Sequence, residues 1–384
     1  MNILLMVNDM MWPNRGGGAP RVDSVAKAFK RAGHKVVMFA PIGTDKKEAE
    51  EALGYEVIPM KYINRNDPKK IIKYGINNPF LTIKAIGIMR DKNIDLVFAH
   101  NAICGFPALV AAKLLKKKMV FDPTDFVAEF VSDSMGNKGF KKGLLNIVGQ
   151  LEAWTIKNAD RVITNTKTIA EILEKKYGRK VDVVYDCVNF DVFHPIKTKK
   201  EKEFTYILQG GMDPQDGLEI LIPVAKELKK EKIKFKILLV GDGKVVPILK
   251  QKIEQEKMDE HFKFTGWVTQ KEVNELTAKS DVGLVILPNK LSGRVRLTLR
   301  ALEYWACGKP IIAADLDAVR EVVKHEENGL LYKAENTYSL TQQMIKINKD
   351  KKLYNKIARN GKEKVKEFES KRLGDQIANI ILER

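Results

Sequence analysis

Cysteine is scarce: Cys104, Cys187 and Cys307 are the only three in 384 residues, far apart and with no C-x-x-C pair. That excludes a disulfide scaffold, offers no structural zinc site, and fits a reducing cytosol. Long apolar runs are missing as well. The opening run, Ile3–Val7, is five residues long behind no basic segment, and it reads as a first strand, not a leader peptide. The longest apolar stretch, 103–115, is interrupted by Lys113 and is too short to span a bilayer. No low-complexity tract or solenoid-period repeat occurs. A complete G-x-G-x-x-G is absent: Gly241-Asp242-Gly243 has Val246 where the third glycine belongs. No acid is placed to hold a ribose in the dinucleotide manner either, which sets a hydride-transferring oxidoreductase aside. No D-x-D closes a strand, so nothing in the sequence asks for a metal.

What is plentiful is positive charge. The formal net charge is +18, on a chain that is 44% hydrophobic and 30% charged. This is the composition of a globular protein of two or three domains, drawn to polyanionic neighbours: phosphorylated ligands, anionic membrane or nucleic acid. Lys and Arg exceed Asp and Glu by 10 in residues 1–190 and by 8 in the rest. The charge is not segregated, and no nucleic-acid module motif appears, so nucleic acid is not expected as a partner. Lysines do interleave with apolar residues in 67–92, 113–118 and 137–148. Those stretches read as solvated faces or as a peripheral face on anionic lipid.

Apolar runs of four to seven residues alternate with helix-period segments throughout. Expected strands in the first half are 3–7, 35–39, 55–58, 96–99, 119–121, 161–164 and 181–185. Between the first two, Val22, Val25, Ala26, Phe29 and Ala32 fall at helical spacing and Gly33 supplies a stop. Strand, helix and strand in about thirty residues make a βαβ unit, hence a parallel sheet. The pattern weakens over 191–204, expected to be a linker, and restarts with strands at 205–208, 235–240, 262–264, 282–286 and 311–314. Helices are expected near 218–228, 246–256, 272–278 and 296–306. The fold class is therefore α/β: two doubly wound Rossmann-like domains, 1–190 and 205–368, facing across a cleft at the carboxyl ends of their strands. Residues 369–384 form a last helix.

Four clusters carry candidate chemistry. Gly16, Gly17 and Gly18 follow the first strand and precede the first helix, where glycine lets backbone approach a ligand and a helix N-terminus favours negative charge. Gly210-Gly211 and Gly241 with Gly243 close two second-half strands, as turns that admit a nucleotide to the strand ends. In the window 292–315, Ser292 is the expected N-cap, and Gly308 and Pro310 stop the helix. Arg296, Arg300 and Glu303 then share one face, two cations for a diphosphate and a carboxylate for a ribose diol. Finally His100, Asp122, Asp125 and Glu129 sit at or just past strand ends. His100 and Asp122, taken singly, read equally well as loop hydrogen-bonders.

Taken in order, the segments have a familiar form. NILLMVNDMMWPNRGGGAPRVDSVAKAFKRAGHKVVMFAP, LEAWTIKNADRVITNT, VVYDCVNFDVFHP, ILLVGDG, FKFTGWVTQKEVNELTAKSDVGLVILP, EYWACGKPIIAAD and NGLLY resemble, in sequence, the landmarks of the retaining glycosyltransferases of family 4, with the GT-B fold. The likeness covers nearly the whole chain. It departs at Val295, where the common form has the first of two glutamates, Glu303 being the second. It departs also at Gly211 and Asp216, where an arginine and a lysine are usual, and at Asp186-Cys187, where NG is usual. A branch with "PQDG" and a "K..EYMA.GKP" helix shares this look, and Arg300 then takes the lysine's place. The resemblance implies transfer of a sugar from a nucleotide-sugar donor to a glycan, lipid-linked or other hydroxyl acceptor, with retention of configuration and no metal or other cofactor. It places the donor on the second domain: Gly210, Gly211, Gly241 and Gly243 near base or phosphates, Arg294, Arg296 or Arg300 on the diphosphate, and Glu303 on the ribose. The first domain, with Gly16–Gly18, takes the acceptor, Asp125 or His100 orienting its hydroxyl. The last helix crosses back to the first domain. A cytoplasmic enzyme, peripheral at the inner membrane face, is the expected setting. Val295 and Asp216 leave open a catalytically impaired or regulatory nucleotide-binding member, and an epimerase or phosphorylase shares the fold.

Overall fold

The computed structural model describes residues 1–13, 17–61, 70–126, 140–199 and 201–383. Strands that are apolar on both sides must be covered on both faces, and here every named strand pairs in parallel with its neighbours. The chain forms two compact units, Met1–Cys187 with Ser370–Arg384, and Val188–Glu369. The boundary thus falls at Cys187/Val188, and the 191–204 stretch read as a linker belongs to the second unit.

In the first unit the strands are β1 (Asn2–Met6), β2 (Lys35–Ala40), β3 (Glu56–Pro59), β4 (Leu96–His100), β5 (Lys118–Asp122), β6 (Arg161–Thr164) and β7 (Asp182–Val183). Their order is β3-β2-β1-β4-β5-β6-β7. The connections carry α1 (Ala19–Arg31), α2 (Lys46–Leu53), α3 (Lys70–Asp91), α4 (Asn101–Leu114), α5 (Phe140–Asn158) and α6 (Lys167–Tyr177). From β1 the chain winds outward to β2 and β3, then returns to β4 and winds the other way. The direction reverses between β1 and β4, and the crevice beyond their carboxyl ends is where such sheets bind ligands. Val22, Val25, Ala26 and Phe29 of α1 are fully buried, as their spacing predicts. The expected strand 181–185 shortens to β7 because the Val184 and Tyr185 carbonyls accept from the Arg21 guanidinium.

The second unit has β8 (Phe204–Gln209), β9 (Phe235–Val240), β10 (Phe262–Phe264), β11 (Val282–Val285), β12 (Ile311–Ala314) and β13 (Leu330–Tyr332), in the order β10-β9-β8-β11-β12-β13. Its switch point lies between β8 and β11. The helices are α7 (Leu221–Lys230), α8 (Val246–Gln255), α9 (Gln270–Lys279), α10 (Leu291–Arg294), α11 (Leu299–Ala306), α12 (Asp317–Arg320), α13 (Thr337–Lys349) and α14 (Lys351–Lys364). After Glu369, α15 (Ser370–Leu382) completes the first unit by packing on α1. Gly374 makes that contact possible: a Cβ there would lie 2.3 Å from the Ser24 carbonyl oxygen.

The helix expected from Ser292 to Ala306 is two helices, and Ser292 is not its N-cap. Lys290 precedes α10 and Thr298 precedes α11. Gly293 packs its backbone on Pro288, where a Cβ would come within 2.1 Å of the carbonyl oxygen. Val295 and Leu297, two residues apart, are both buried. A helix would throw that pair to opposite sides, so the helix breaks in a turn at Val295 and the chain is irregular up to Thr298. Arg296 therefore lies before the helix that carries Arg300 and Glu303, and the three do not share a helical face. The helix expected at 218–228 likewise opens with a 3-10 turn, Leu218–Ile220. No described helix is long and apolar enough to cross a membrane.

Candidate functional site

At the first unit's switch point, β4 ends in His100 and the chain turns sharply. Asn101 takes φ +63°, in the left-handed region that an Asn side chain tolerates, and its Oδ1 accepts from the Ile103 N–H. The turn leaves His100 buried. Its Nδ1 lies 2.8 Å from Oδ2 of Asp122, the last residue of the neighbouring strand. Arg21 of α1 closes on the same carboxylate with two bonds, Nε and Nη2 each at 2.8 Å. Burial pushes the Asp122 carboxyl up, but Arg21 and His100 outweigh it and hold it at about 2. An ionised Asp122 only accepts, so His100 donates through Nδ1 and turns its buried Nε2 toward Asp9. That Nε2 has no hydrogen-bond partner and stands 3.6 Å from Oδ2 of Asp9, just past β1.

Gly18 is pressed against this group. A Cβ at Gly18 would lie 2.2 Å from His100 Nε2 and 2.6 Å from Asp9 Oδ2, so the glycine is demanded by the histidine. Gly17 has open space around it. Gly16 and Glu129 lie outside the described residues. Asp125 sits half-buried in a bend past β5, in a segment where Thr164 Oγ1 donates to the Pro123 carbonyl. Arg21, missed in the sequence, ties this site to the end of β7: Nη1 donates to the Val184 oxygen at 2.6 Å and lies 3.7 Å from Asp186. A trace was visible, since Arg21 falls on the stripe of α1 that Val25 and Phe29 bury.

At the second switch point the two glycine turns lock together. Gly210 at φ +108° and Gly241 at φ +126° bring backbone onto backbone: a Cβ at Gly241 would sit 2.1 Å from the Gly210 oxygen, and one at Gly243 2.1 Å from the Met212 oxygen. Gly241 and Gly243 are thus required by loop packing, while Gly211 faces open space. Arg300 lies over Gly210, with Nη2 3.2 Å from where a Cβ would be, and its buried Nη1 has no hydrogen-bond partner. Thr298 Oγ1, at the head of α11, is also buried without one. The first N–H groups of a helix have no acceptor within it, so donors converge here beside a fixed cation.

One turn on, Glu303 accepts from the Gln209 side-chain amide, whose oxygen accepts from Thr277 Oγ1 at 3.2 Å. Burial raises the Glu303 carboxyl to about 7, against the pull of Gln209 and Arg300. Tyr304, next along, accepts from the Gln209 backbone N–H at 3.0 Å and donates to the Ile207 oxygen, fixing α11 on β8. Gln209 was missed; its signal is a polar residue closing the apolar strand just before Gly210. The remaining arginines are engaged elsewhere. Arg296 pairs with Asp216 at 3.1 Å, and Arg294 pairs with Asp317 at 2.7 Å on the surface. The acid at position 216 thus has a cation of its own. Among the described residues no three His, Cys, Asp or Glu side chains gather as a metal-ligand set.

Residues 15–192 match the model of glycosyltransferase family 4, and residues 189–364 that of the glycosyl transferases group 1. An uncharacterized glycosyltransferase of Methanocaldococcus jannaschii is 26% identical, covering 73% of each chain. The N-acetyl-alpha-D-glucosaminyl L-malate synthase of Bacillus anthracis is 23% identical over 98% of this chain and 96% of its own. The alpha-monoglucosyldiacylglycerol synthase of Acholeplasma laidlawii is 23% identical over 84% and 87%. Among solved structures, sucrose-phosphate synthase from Thermosynechococcus elongatus superposes with a TM-score of 0.82 at 16% identity, over 99% of this chain and 98% of its own. Anabaena HepE in complex with UDP and glucose gives 0.77 at 20% identity, over 99% of each. The fold is GT-B, and the chain belongs to the group 1, family 4 glycosyltransferases.

Proposed function

We propose that this glycosyltransferase takes its sugar from a nucleotide-sugar bound at the second unit's switch point and passes it to a hydroxyl of a glycan or lipid-linked acceptor, with retention of configuration. The observation that carries the reading is Arg300: a cation packed on Gly210, with a buried Nη1 that has no partner in the protein, one helical turn from a carboxylate. Arg300, Thr298 and the N–H groups at the head of α11 would meet the diphosphate, and Glu303, aimed by Gln209, the ribose hydroxyls. As the bond from the anomeric carbon to the diphosphate oxygen breaks, charge grows on the leaving group, and fixed donors stabilise it without a metal. The acceptor oxygen bonds to the anomeric carbon on the same face, and its proton passes to the leaving phosphate. His100, held by Asp122, would orient the acceptor hydroxyl in the first unit, with Asp125 in a secondary position. HepE, whose complex holds UDP and glucose, supports a nucleotide-sugar donor, and the alpha-monoglucosyldiacylglycerol synthase supports a lipid acceptor.

Titration calorimetry with UDP, GDP and ADP tests this. One of them binds the parent, and Arg300→Ala weakens it about 10- to 100-fold, the loss of one or two charge-assisted hydrogen bonds. Failure of all three to bind the parent refutes the reading. A second reading, a nucleotide-binding member without turnover, draws on Val295, buried where the common form has a glutamate. Donor hydrolysis that disappears in Glu303→Ala would dismiss it.

A further inference from the structure

We propose that Gln209, itself seated by Thr277, is the residue that turns Glu303 toward a ribose diol, so that β8, α9 and α11 together select a ribonucleoside diphosphate over its 2′-deoxy form. This deepens the reading above and rests on it: Glu303 is taken as the ribose acceptor and Arg300 as the cation on the diphosphate. β8 carries five buried side chains in a row, from Thr205 to Gln209. An amide at the end of such a strand is costly to bury unless both of its ends are bonded, a demand that an apolar side chain would not make. Both ends of Gln209 are bonded. Nε2 donates to Oε2 of Glu303 on α11, and Oε1 accepts from the Thr277 hydroxyl of α9 at 3.2 Å.

Chemistry sets the direction of the amide. A carboxylate only accepts, so the NH2 end faces Glu303, and the Thr277 hydroxyl supplies the donor that the amide oxygen needs. A flipped amide would set oxygen against oxygen at Glu303. Thr277 and Gln209 are both buried, so neither trades its partner for water. The backbone is gripped as well, the Gln209 N–H donating to the Tyr304 hydroxyl at 3.0 Å. What this rigid pair holds is a half-buried carboxylate. The amide takes Oε2 of Glu303, while Oε1 has no protein donor among the described residues. Arg300 is the charged group that acts on it. Burial keeps the protons on Tyr304 and Cys307 beside it, and from β8 and α9 the neutral Gln209 and Thr277 face it. Arg300 and Glu303 are three residues apart, about 4.5 Å along the helix axis, a step that suits a diphosphate and the ribose attached to it. A vicinal diol offers two O–H donors, one for Oε1 and one for the remaining lone pair of Oε2. A 2′-deoxyribose offers one, and leaves a built acceptor unpaired.

The test is titration calorimetry of the full chain with UDP, GDP and ADP and with their 2′-deoxy counterparts. For the base that binds, the parent prefers the ribose form about 10- to 100-fold, the worth of one charge-assisted hydrogen bond. Gln209→Leu narrows that preference to about 3-fold or less, Thr277→Val narrows it partway, and Thr277→Ser, which keeps the hydroxyl, retains it. The pH profile moves too. Ribose hydroxyls favour the ionised Glu303, so parent affinity rises with pH and levels off near 7. Loss of the Gln209 donor raises the carboxyl further, and in Gln209→Leu the plateau moves to higher pH. A Gln209 that only holds β8 and α11 together would weaken both forms alike and leave the ratio and the profile as they are. That result, or a parent that binds both forms equally, overturns the proposal and leaves Arg300 on the diphosphate. Where Gln209→Leu does not fold, equal preference in Thr277→Val and Thr277→Ser overturns it instead. Failure of all three ribonucleotides to bind the parent overturns the donor reading itself, and this one with it.

Discussion

Replacing Asp122 by asparagine keeps the shape of the side chain and removes its charge. In the folded chain Asp122 is fully buried and receives both Arg21 bonds and the His100 bond, each at 2.8 Å. Holding the carboxyl at about 2, against an ordinary 3.8, favours the ionised form by on the order of 2–3 kcal/mol. That preference already includes burial, which acts in the opposite sense, so the attraction of Arg21 and His100 is larger. In Asp122→Asn the guanidinium stays buried against one neutral amide oxygen in place of the carboxylate, the Val184 and Tyr185 carbonyls, and Asp186 at 3.7 Å. An uncompensated buried charge costs about 3–5 kcal/mol. Arg21→Met strands the carboxylate and costs about the same. The double variant strands neither charge, so it loses about 2 kcal/mol or more less than the sum of the singles. Urea-dependent hydrogen exchange of α1 and β5 peptides is the assay, because a chain of two units has no single unfolding free energy. The stabilisation is present above pH 3.8 and is lost as pH falls through about 2, with little salt dependence. Single losses under about 1 kcal/mol, or strict additivity, would refute the reasoning.

Three further outcomes follow from the same geometry. Glu303 titrates near 7 when folded but near 4.5 when unfolded, so the folded second unit loses stability as pH rises between those values; Glu303→Gln removes this loss and gains on the order of 3 kcal/mol at pH 8 and nothing at pH 4, read by exchange in α11 peptides. Gly18→Ala drives a methyl into His100 and Asp9, costing about 1–3 kcal/mol and lowering turnover while nucleoside diphosphate binding is kept; wild-type turnover would show that His100 has no part in the reaction. If Arg300 supplies the positive charge as proposed, transfer persists in EDTA, and an activity that vanishes and returns with magnesium would contradict that assignment.

Much of the fold was legible because buried parallel strands announce themselves as apolar runs. Phe235–Val240, Phe262–Phe264 and Ile311–Ala314 begin and end where those runs do. The break between α10 and α11 was hidden, since Val295 to Leu297 has helix-like composition and it is tertiary burial of both apolar side chains that interrupts the helix there. The site was half legible. His100, Asp122, Gly210, Arg300 and Glu303 sit at strand ends or on the helix before β12, which periodicity locates. Arg21 and Gln209 were concealed because their partners are distant in sequence: Arg21 reaches Asp122 and Val184, and Gln209 reaches Thr277 and Glu303. In the segment that stops α11, Lys309 is buried and donates to the Ala278 and Ser280 carbonyls, partners equally distant in sequence.

The late return of α15 to α1 bears on how the chain is made. The second unit is one continuous stretch and can close as soon as it leaves the ribosome. The first cannot: Val22, Val25 and Phe29 are translated early, while Leu373 and Ile377, from the helix that packs on α1, arrive only after the whole intervening unit. At about 5–20 residues per second, that is a wait of roughly 10–40 s with an apolar helix uncovered. Newly made first units should therefore be the clients that chaperones hold, and premature termination anywhere beyond Glu369 but short of Ile377 should yield a folded second unit tethered to an aggregation-prone first one.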